Sequence, residues 1–439
     1  MAQRGVGSAQ LRLGIDRSTI RILHAADLHL DSPLVGLQRY EGAPVEELRI
    51  AARRAFDRLV ELCETEDVDL LLLAGDLFDG EWRDYGTGLF FTARMHRLAE
   101  AGVDVVMVRG NHDAQSRLTK GLRLPSRVLD LSTDAPGTIV LDRLGVAVHG
   151  QGYAEPSTEI DLAARYPQAI PGLFNIGLLH TALDGREGHA RYAPTTVERL
   201  RARGYDYWAL GHVHQREVVH KAPWIVFPGN LQGRHARETG DKGATLIRVE
   251  DGRVMEVQHR ALDVVRWASI RVDAGPLPDA EAVLVAIEAA LHRAEAQAEG
   301  RALAARVTIQ GATAAQISLI SKPQAFEAEV RQLGLKRAHS AIFIEKLIVD
   351  TRPLVSLEAL LAGAGPIQEL LRALEAEARD PELWALLVSE LSELRARLGD
   401  RIFLDERGQL PAETELLERL FPRIRDRVLP LLLEGEEPR

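Results

Sequence analysis

The sequence contains only one cysteine, Cys63, so no disulfide can form within the chain. Its neighbours Phe56, Leu59, Val60 and Leu62 are spaced like the apolar face of a helix, which predicts a buried, inert thiol. Aromatic residues are also scarce, at 5% of 439 residues, whereas hydrophobic residues as a whole reach 46%. We therefore expect a substantial core built from Leu, Val, Ala and Ile.

An excess of positive charge is absent as well, because 54 Lys and Arg are outnumbered by 64 Asp and Glu. Binding of a polyanion therefore requires a local basic patch or bound cations. No apolar run approaches the ~18 residues of a membrane span, and residues 1–20 lack the apolar segment of a secretory signal. We expect a cytoplasmic protein in which residues 1–20 form a loose tail.

The region 21–262 alternates short apolar runs with longer amphipathic segments, such as 46–64 and 87–100. Buried strands separated by helices predict an α/β fold with parallel or mixed sheet covered by helices. The candidate strands are Ile20–Ala25, Val68–Leu73, Val103–Val108, Gly145–Val148, Ile176–Leu179, Tyr207–Leu210 and Ile225–Phe227.

A second domain is predicted for residues 263–353, with strands at Trp267–Val272, Arg306–Ile309 and Ala341–Val349. Asp279 is the expected N-cap of a helix in this small α+β domain.

Residues 354–439 are predicted to form a helical segment, because leucine dominates two stripes with helical spacing. Either the two stripes pack on each other, or one of them stays exposed for a coiled-coil partner, and the sequence alone leaves both interpretations open. The first stripe is Leu383, Leu386, Leu387, Leu391 and Leu394, and the second is Leu416, Leu417, Leu420, Ile424 and Val428.

Five of the apolar runs end abruptly in residues that can bind a metal ion. The carboxyl ends of strands in open α/β sheets line a ligand crevice, so these side chains should converge on one site. A single histidine after an apolar run is more often structural, but five such strand ends in one chain argue against coincidence. The residues are Asp27, His29, Asp76, Asn111, His180, His212 and His214.

This set of side chains suits the hydrolysis of phosphate esters, whose negative charge repels nucleophiles. Two divalent cations about 3.5–4 Å apart neutralise that charge and activate a water molecule. Carboxylate, imidazole and amide ligands together favour Mn, Fe or Zn over Mg. Asp76 is the candidate bridge between the ions, and Gly75, Gly110 and Gly211 are expected to let the backbone turn at the site.

His112 follows Asn111 directly, so the two side chains should not both point at the metals. We expect His112 to act as a general acid or to stabilise the phosphate, with Asp113 orienting its ring. The alternative is that His112 merely packs beside the site.

These motifs in order resemble those of the calcineurin-like metallophosphoesterases. The resemblance rests on Asp27-x-His29, Gly75-Asp76-x-x-Asp79, Gly110-Asn111-His112-Asp113, His180 and Gly211-His212-x-His214. The segments 24–31, 75–79 and 227–235 are similar to SbcD-type DNA repair exonucleases, and the segment 179–189 to the YhaO-type subgroup.

The resemblance implies a two-sheet β-sandwich flanked by helices, followed by a small cap domain that faces DNA. It implies two metal sites that share Asp76, with Asp27, His29 and His214 at one ion and Asn111, His180 and His212 at the other. His112 would assist phosphodiester cleavage, the preferred metal would be Mn²⁺, and the usual partner would be an ABC/SMC-type coiled-coil ATPase.

One position departs from part of the family, because archaeal and eukaryotic relatives carry a histidine where this chain has Asp79. Bacterial members commonly carry Asp there, so the balance of exonuclease and endonuclease activity stays open.

The residues expected to contact substrate are Arg234 and His235, which follow a turn, together with Arg109 and Asp79. The alternative for the basic residues is an ordinary solvated surface. The resemblance implies a DNA exonuclease or endonuclease subunit that acts in repair, and the oligomeric state stays open, a homodimer included. The rival functions are a phosphodiesterase for small molecules or nucleotides and a DNA-tethering scaffold with a vestigial metal site.

Overall fold

The computed structural model describes residues 19–32, 45–79, 86–114, 123–183, 192–335, 342–354, 380–399 and 410–420, with the single positions 369, 372, 373 and 403. Most of the predicted N-terminal tail, and Ile424 and Val428 of the second leucine stripe, lie outside this range. The chain divides into two compact units, one ending at Arg266 and one beginning at Trp267.

The first sheet of the N-terminal unit has six strands in the order β12-β11-β1-β2-β3-β4. Its parallel part contains β1 (Thr19–Ala25), β2 (Leu70–Ala74), β3 (Asp104–Val108) and β4 (Val128–Asp130). Two antiparallel strands, β11 (Gly243–Glu250) and β12 (Arg253–Ala261), extend it beyond β1. The carboxyl ends of β1, β2 and β3 consequently lie side by side.

The second sheet also has six strands, in the order β5-β6-β7-β8-β10-β9. Its centre is parallel and consists of β6 (Val146–Gly150), β7 (Phe174–His180), β8 (Tyr207–Gly211) and β10 (Trp224–Phe227). The edge strands β5 (Gly137–Leu141) and β9 (Glu217–Lys221) run antiparallel to their neighbours.

The alternation of side chains along β2 explains the layering of this unit. Leu70 and Leu72 join a core cluster with side chains of the second sheet, such as Ile176 on β7. Leu71 and Leu73 point to the other face and pack with residues of α1 (Val45–Thr65) and α2 (Gly86–Glu100). Because side chains alternate between the two faces of a strand, the four consecutive leucines of β2 contribute to both cores.

The outer face of the second sheet is covered in the same way. Trp208 and Leu210 of β8 pack with Leu200 of α4 (Val197–Arg201) and with Leu162 of a 3₁₀ turn at Leu162–Arg165. Helices therefore flank both sheets, and the predicted two-sheet sandwich is confirmed.

The C-terminal unit contains the three-stranded sheet β13 (Val265–Asp273), β14 (Ala302–Thr313) and β15 (Ile342–Pro353). The helices α5 (Ala280–Gln297), α6 (Gln316–Ser321) and α7 (Pro323–Leu335) pack on it around one apolar core. Asp279 caps α5 as predicted, since its Oδ1 accepts a hydrogen bond from the Ala282 amide at 2.8 Å.

Among the described residues of the C-terminal region are the helices α8 (Pro381–Leu398) and α9 (413–420), which include most of the two leucine stripes. Arg395 of α8 pairs with Glu413 of α9, with Nη1 and Oε1 2.7 Å apart. Among the helices of the described residues, none combines the length and apolar character needed to cross a bilayer.

Candidate metal centre

The polar side chains that follow five strands meet at one end of the sandwich. Asp27 and His29 follow β1, Asp76 follows β2, and Asn111 begins the short helix α3 (Asn111–Ala114) after β3. From the second sheet, His180 ends β7, and His212 and His214 follow β8. Within the described residues, potential ligand atoms lie within 4.8 Å of one another in three groups: Asp27–His29–His214, His29–Asp76–His112 and Asp76–His180–His212.

The backbone of four of these residues has a positive φ angle. The φ angles are 53° at Asp27, 44° at His29, 51° at Asp76 and 100° at His212. Only a few per cent of non-glycine residues adopt such angles, and they concentrate at functional sites. The Asp27 amide donates to Gly75 O and the His29 amide to Asp76 O, each at 3.0 Å, so the two loops hold each other in this conformation.

The glycines at the strand ends have two different roles. Gly75 has a φ of +89°, which fits the turn expected from the sequence. A Cβ on Gly110 would lie 2.2 Å from Asp76 Oδ1, and a Cβ on Gly211 would lie 1.9 Å from Ala74 O. Gly110 and Gly211 are therefore needed because the loops approach each other closely.

The distances between the ligand atoms fit metal coordination. Around His180 Nε2 lie Asn111 Oδ1 at 3.0 Å, His212 Nδ1 at 3.3 Å and Asp76 Oδ2 at 3.4 Å. Two ligands that bind one ion at about 2.1 Å and at right angles are themselves about 3 Å apart. These four side chains are therefore spaced as ligands of a single ion.

A second set of ligand atoms gathers around His29. Its Nε2 lies 3.2 Å from His214 Nε2 and 3.9 Å from Asp76 Oδ2, and His214 Nε2 lies 3.8 Å from Asp27 Oδ1. Asp76 Oδ2 faces both sets, which is the position that a bridging carboxylate requires.

The charges of the cluster also favour cations. Burial lowers the pKa of His180, but the negative charges of Asp76 and Asp27 outweigh it and raise this pKa to about 9. Burial raises the pKa of Asp76, yet the imidazoles of His180 and His29 hold it well below its usual range. A buried site that attracts protons this strongly is one in which divalent cations compete with protons.

His29 has the protonation state that metal binding requires. Its burial and the neighbouring guanidinium of Arg234 lower the pKa of His29 to about 3. A neutral imidazole is the form that binds a metal ion. The donor set, its spacing and its charge thus all fit a pair of divalent ions.

His112 pairs with Asp79 at the edge of this cluster. His112 Nδ1 lies 2.7 Å from Asp79 Oδ1, and the His112 amide donates to Asp76 Oδ1 at 3.0 Å. Asp79 Oδ2 also accepts a hydrogen bond from Ser32 Oγ at 2.5 Å and lies 3.5 Å from Nη1 of Arg234. The hydrogen bond to Asp79 raises the pKa of His112.

Asp113 has a different role from the one expected from its position in the sequence. Its two carboxylate oxygens accept hydrogen bonds from the backbone amides of Gly110 and Phe78 at 2.9 Å and of Leu77 at 3.2 Å. Asp113 thereby fastens the loops after β2 and β3 to each other, and the carboxylate beside the His112 ring is that of Asp79.

Only some of the residues predicted to contact substrate lie beside the proposed metal ligands. Arg234 and Asp79 border the metal ligands, and the side chain of His235 is 47% exposed beside Glu238. Arg109 is paired with Asp130, with Nη2 and Oδ2 2.7 Å apart. The structure therefore gives Arg109 a partner within the protein.

Glu238 and Tyr153 contact the ligands and were not predicted from the sequence. Glu238 Oε1 lies 2.6 Å from His214 Nδ1, and the Tyr153 ring stands edge-on to the His180 ring with 5.6 Å between centroids. Tyr153 follows a strand that ends at Gly150, and this position was the available signal. Glu238 lies in irregular structure without a periodic pattern.

The chain is similar to known metallophosphoesterases over most of its length. Residues 20–216 match the family described as calcineurin-like phosphoesterase, and residues 267–352 match the middle domain of metallophosphoesterase YhaO. The uncharacterized metallophosphoesterase YhaO of Bacillus subtilis (strain 168) is 32% identical over 335 residues, which cover 75% of this chain and 81% of that protein.

Two further similarities cover less of the chain. The DNA double-strand break repair protein Mre11 of Methanopyrus kandleri is 28% identical over 283 residues, or 57% of this chain and 59% of that protein. Among solved structures, TT1561 of Thermus thermophilus is 15% identical and has a TM-score of 0.32, covering 55% of this chain and 99% of that one.

Proposed function

Because this chain belongs to the calcineurin-like metallophosphoesterases, in the YhaO-type subgroup, we propose that it is a DNA nuclease that uses two Mn²⁺ ions. The observation that carries the proposal is the position of Asp76, whose Oδ2 faces both His29 Nε2 and His180 Nε2. DNA is the proposed substrate because one of the named relatives, at 28% identity, is a double-strand break repair protein.

Two groups of side chains would hold the ions. Asp27, His29 and His214 would bind one, while Asn111, His180 and His212 would bind the other, with Asp76 between them. When bound, such ions neutralise the phosphate charge and make a water molecule nucleophilic. Mn²⁺ is proposed because the ligands mix carboxylate, imidazole and amide oxygen.

His112, held by Asp79, would donate a proton to the leaving oxygen. A carboxylate accepts hydrogen bonds only, so Asp79 keeps a proton on His112 Nδ1 and leaves Nε2 for the substrate. The raised pKa of His112 favours a ring with protons on both nitrogens. A water oxygen forms the new bond to phosphorus and releases a proton to solvent, the bond to the leaving oxygen breaks, and the Nε2 proton of His112 passes to that oxygen. The half-exposed ring of His112, with 39% of its side-chain surface accessible, is reachable by a substrate.

Arg234 would hold the phosphate before and during this step. Its guanidinium lies 3.5 Å from Asp79 Oδ2 and 3.7 Å from Glu238 Oε1, and its side chain is 18% exposed. A guanidinium at the rim of a metal site binds phosphate oxygens in a bidentate manner.

The nuclease activity is tested with DNA of defined ends in Mn²⁺, in parallel with a generic aryl phosphodiester. We expect cleavage of both substrates by the wild-type protein and loss of both in Asn111→Ala, which removes a ligand oxygen. Hydrolysis of the aryl ester without cleavage of DNA would instead support a small-molecule phosphodiesterase. Binding of DNA without hydrolysis of either substrate would support a scaffold.

We further propose that α8 and α9 bind the coiled coil of an ABC/SMC-type ATPase. Three leucines on α8 support this, since Leu386 is 58%, Leu394 47% and Leu398 50% exposed. Exposed leucines at helical spacing suit a helix-to-helix contact with a coiled coil.

A further inference from the structure

The two ring nitrogens of His214 face two different environments. Nε2 points into the cluster, 3.2 Å from His29 Nε2 and 3.8 Å from Asp27 Oδ1. Nδ1 lies 2.6 Å from Oε1 of Glu238, a residue that is only 7% exposed. A carboxylate accepts hydrogen bonds only, so the proton of a neutral His214 resides on Nδ1 and its Nε2 lone pair faces the metal position.

The other oxygen of Glu238 holds the segment that carries Arg234. Oε2 accepts hydrogen bonds from the Arg234 amide at 2.7 Å and from Asn230 Nδ2 at 2.9 Å. Asn230 is itself fixed, because it forms a β-bridge with Ala26, directly before Asp27. One buried carboxylate thus joins a metal ligand to the backbone of the arginine at the rim.

The main chain of His214 is held from the same region. The buried Lys242 donates from Nζ to His214 O at 2.9 Å, and the Asn230 amide donates to the same oxygen at 3.3 Å. Both the ring and the backbone of His214 therefore form hydrogen bonds with the segment 230–242.

From this geometry we propose that Glu238 is a positioning residue that orients His214 toward one ion and places Arg234 for the substrate phosphate. The proposal rests on the proposed function, because it assumes that His214 binds a metal ion. It assigns to Glu238 no contact with substrate and no part in proton transfer. It predicts that removing the Glu238 charge weakens the binding of one ion more than the binding of the other.

The informative substitution is Glu238→Gln, which keeps the shape of the side chain. An amide has one acceptor and one donor end, whereas Glu238 faces hydrogen-bond donors at both oxygens. Whichever way the amide is turned, its NH₂ group meets a donor. Either the His214 proton shifts to Nε2 or the Arg234 segment is released.

The experiment measures Mn²⁺ binding to the full chain without DNA, by equilibrium dialysis and elemental analysis. For Glu238→Gln we expect one of two ions to bind about 10- to 100-fold more weakly, as is typical when the partner of a metal-bound histidine is lost. The other ion should keep its affinity. Glu159→Gln, at an exposed glutamate, is the matched control and should bind as the wild type does.

A double-mutant cycle separates positioning from general support of the fold. In a His214→Ala background, Glu238→Gln should cause no further loss of ion affinity, because its effect passes through His214. Additive losses, equal weakening of both ions, or unchanged binding in Glu238→Gln would each overturn the proposal. A wild-type chain that takes up fewer than two ions would instead contradict the dinuclear site itself, and two bound ions without DNA cleavage would contradict only the nuclease assignment.

Discussion

Asp79 Oδ1 lies 2.7 Å from Nδ1 of His112, and Asp79 Oδ2 lies 3.5 Å from Nη1 of Arg234. A single carboxylate thus lies between the proposed proton donor and the proposed phosphate-binding cation. The proposed role of Asp79 follows from these two contacts within the protein.

We expect His112→Ala to keep both metal ions and to lose about 100- to 10,000-fold in the rate of cleavage, the range typical of a general acid. The ions are retained because His112 is not one of the seven proposed ligands. Elemental analysis and a DNA cleavage assay on the same preparation measure both effects. Asp79→Asn should lose less activity, since an amide oxygen still accepts the His112 Nδ1 proton. Cleavage at the wild-type rate in His112→Ala would remove this residue from the mechanism.

Gly110→Ala should impair metal binding more than it impairs folding. Its Cβ would lie 2.2 Å from Asp76 Oδ1, so the carboxylate between the two sets of ligands has to move. We expect at least a tenfold loss of Mn²⁺ affinity, on the order seen when the support of a metal ligand is disturbed. Gly137→Ala is the control, because its Cβ would meet only Leu131 Cδ2 at 3.3 Å. Equal Mn²⁺ affinities of Gly110→Ala and Gly137→Ala would show that the Asp76 carboxylate can move without weakening metal binding.

His24 makes the stability of the protein depend on pH. Its Nε2 lies 3.1 Å from Leu210 O and its Nδ1 lies 3.0 Å from Tyr207 Oη, an arrangement that suits a neutral ring. Burial lowers the pKa of His24 from 6.5 to about 3. Between these values the unfolded chain binds more protons than the folded one, so stability rises with pH and is lost as the pH falls below 6.5.

The contribution of His24 is measured by urea unfolding in EDTA, which removes the separate effect of metal ions. Between about pH 6.5 and 5, the wild-type free energy of unfolding should fall more steeply than that of His24→Gln, by up to about 1.4 kcal/mol per pH unit. The variant should be less stable at about pH 8, where the histidine hydrogen bonds are intact. Parallel curves for the two proteins would contradict a neutral, buried His24.

We expect the C-terminal helices to be needed for binding of the ATPase but not for hydrolysis of a phosphodiester. A chain truncated after Pro353 should no longer co-purify with an ABC/SMC-type ATPase but should still hydrolyse an aryl phosphodiester, because the proposed ligands all precede residue 215. The double substitution Leu386→Asp, Leu394→Asp should have the same effect in the full chain. Leu89→Asp, at a leucine of α2 that is 71% exposed, is the control and should leave co-purification intact. ATPase binding by the truncated chain would show that the contact lies elsewhere.

The parallel strands at the centre of both sheets could be predicted from the sequence. β2 and β3 are fully buried, so their apolar runs are unbroken, and the polar residue that ends each run is easily seen. The strands β4, β5, β9, β11 and β12 were not predicted. β9 and β12 are partly exposed edge strands, and the residues of β12, including the 54% exposed Met255, do not form an apolar run.

The contacts between residues that lie far apart in the chain could not be predicted from the sequence. Asp113 was expected beside His112 because the two are adjacent, but α3 directs its carboxylate to the amides of Leu77, Phe78 and Gly110. Glu238 reaches His214 across 24 positions that include β9 and β10, and local patterns carry no information about such a pair.

The left-handed backbone at Asp27, His29 and Asp76 places stability and metal binding in opposition. Glycine adopts this conformation without the steric penalty of a Cβ, so glycine at any of the three positions would relax the loop and at the same time delete a proposed ligand. A backbone free of this strain and a complete set of ligands are therefore incompatible at these three positions.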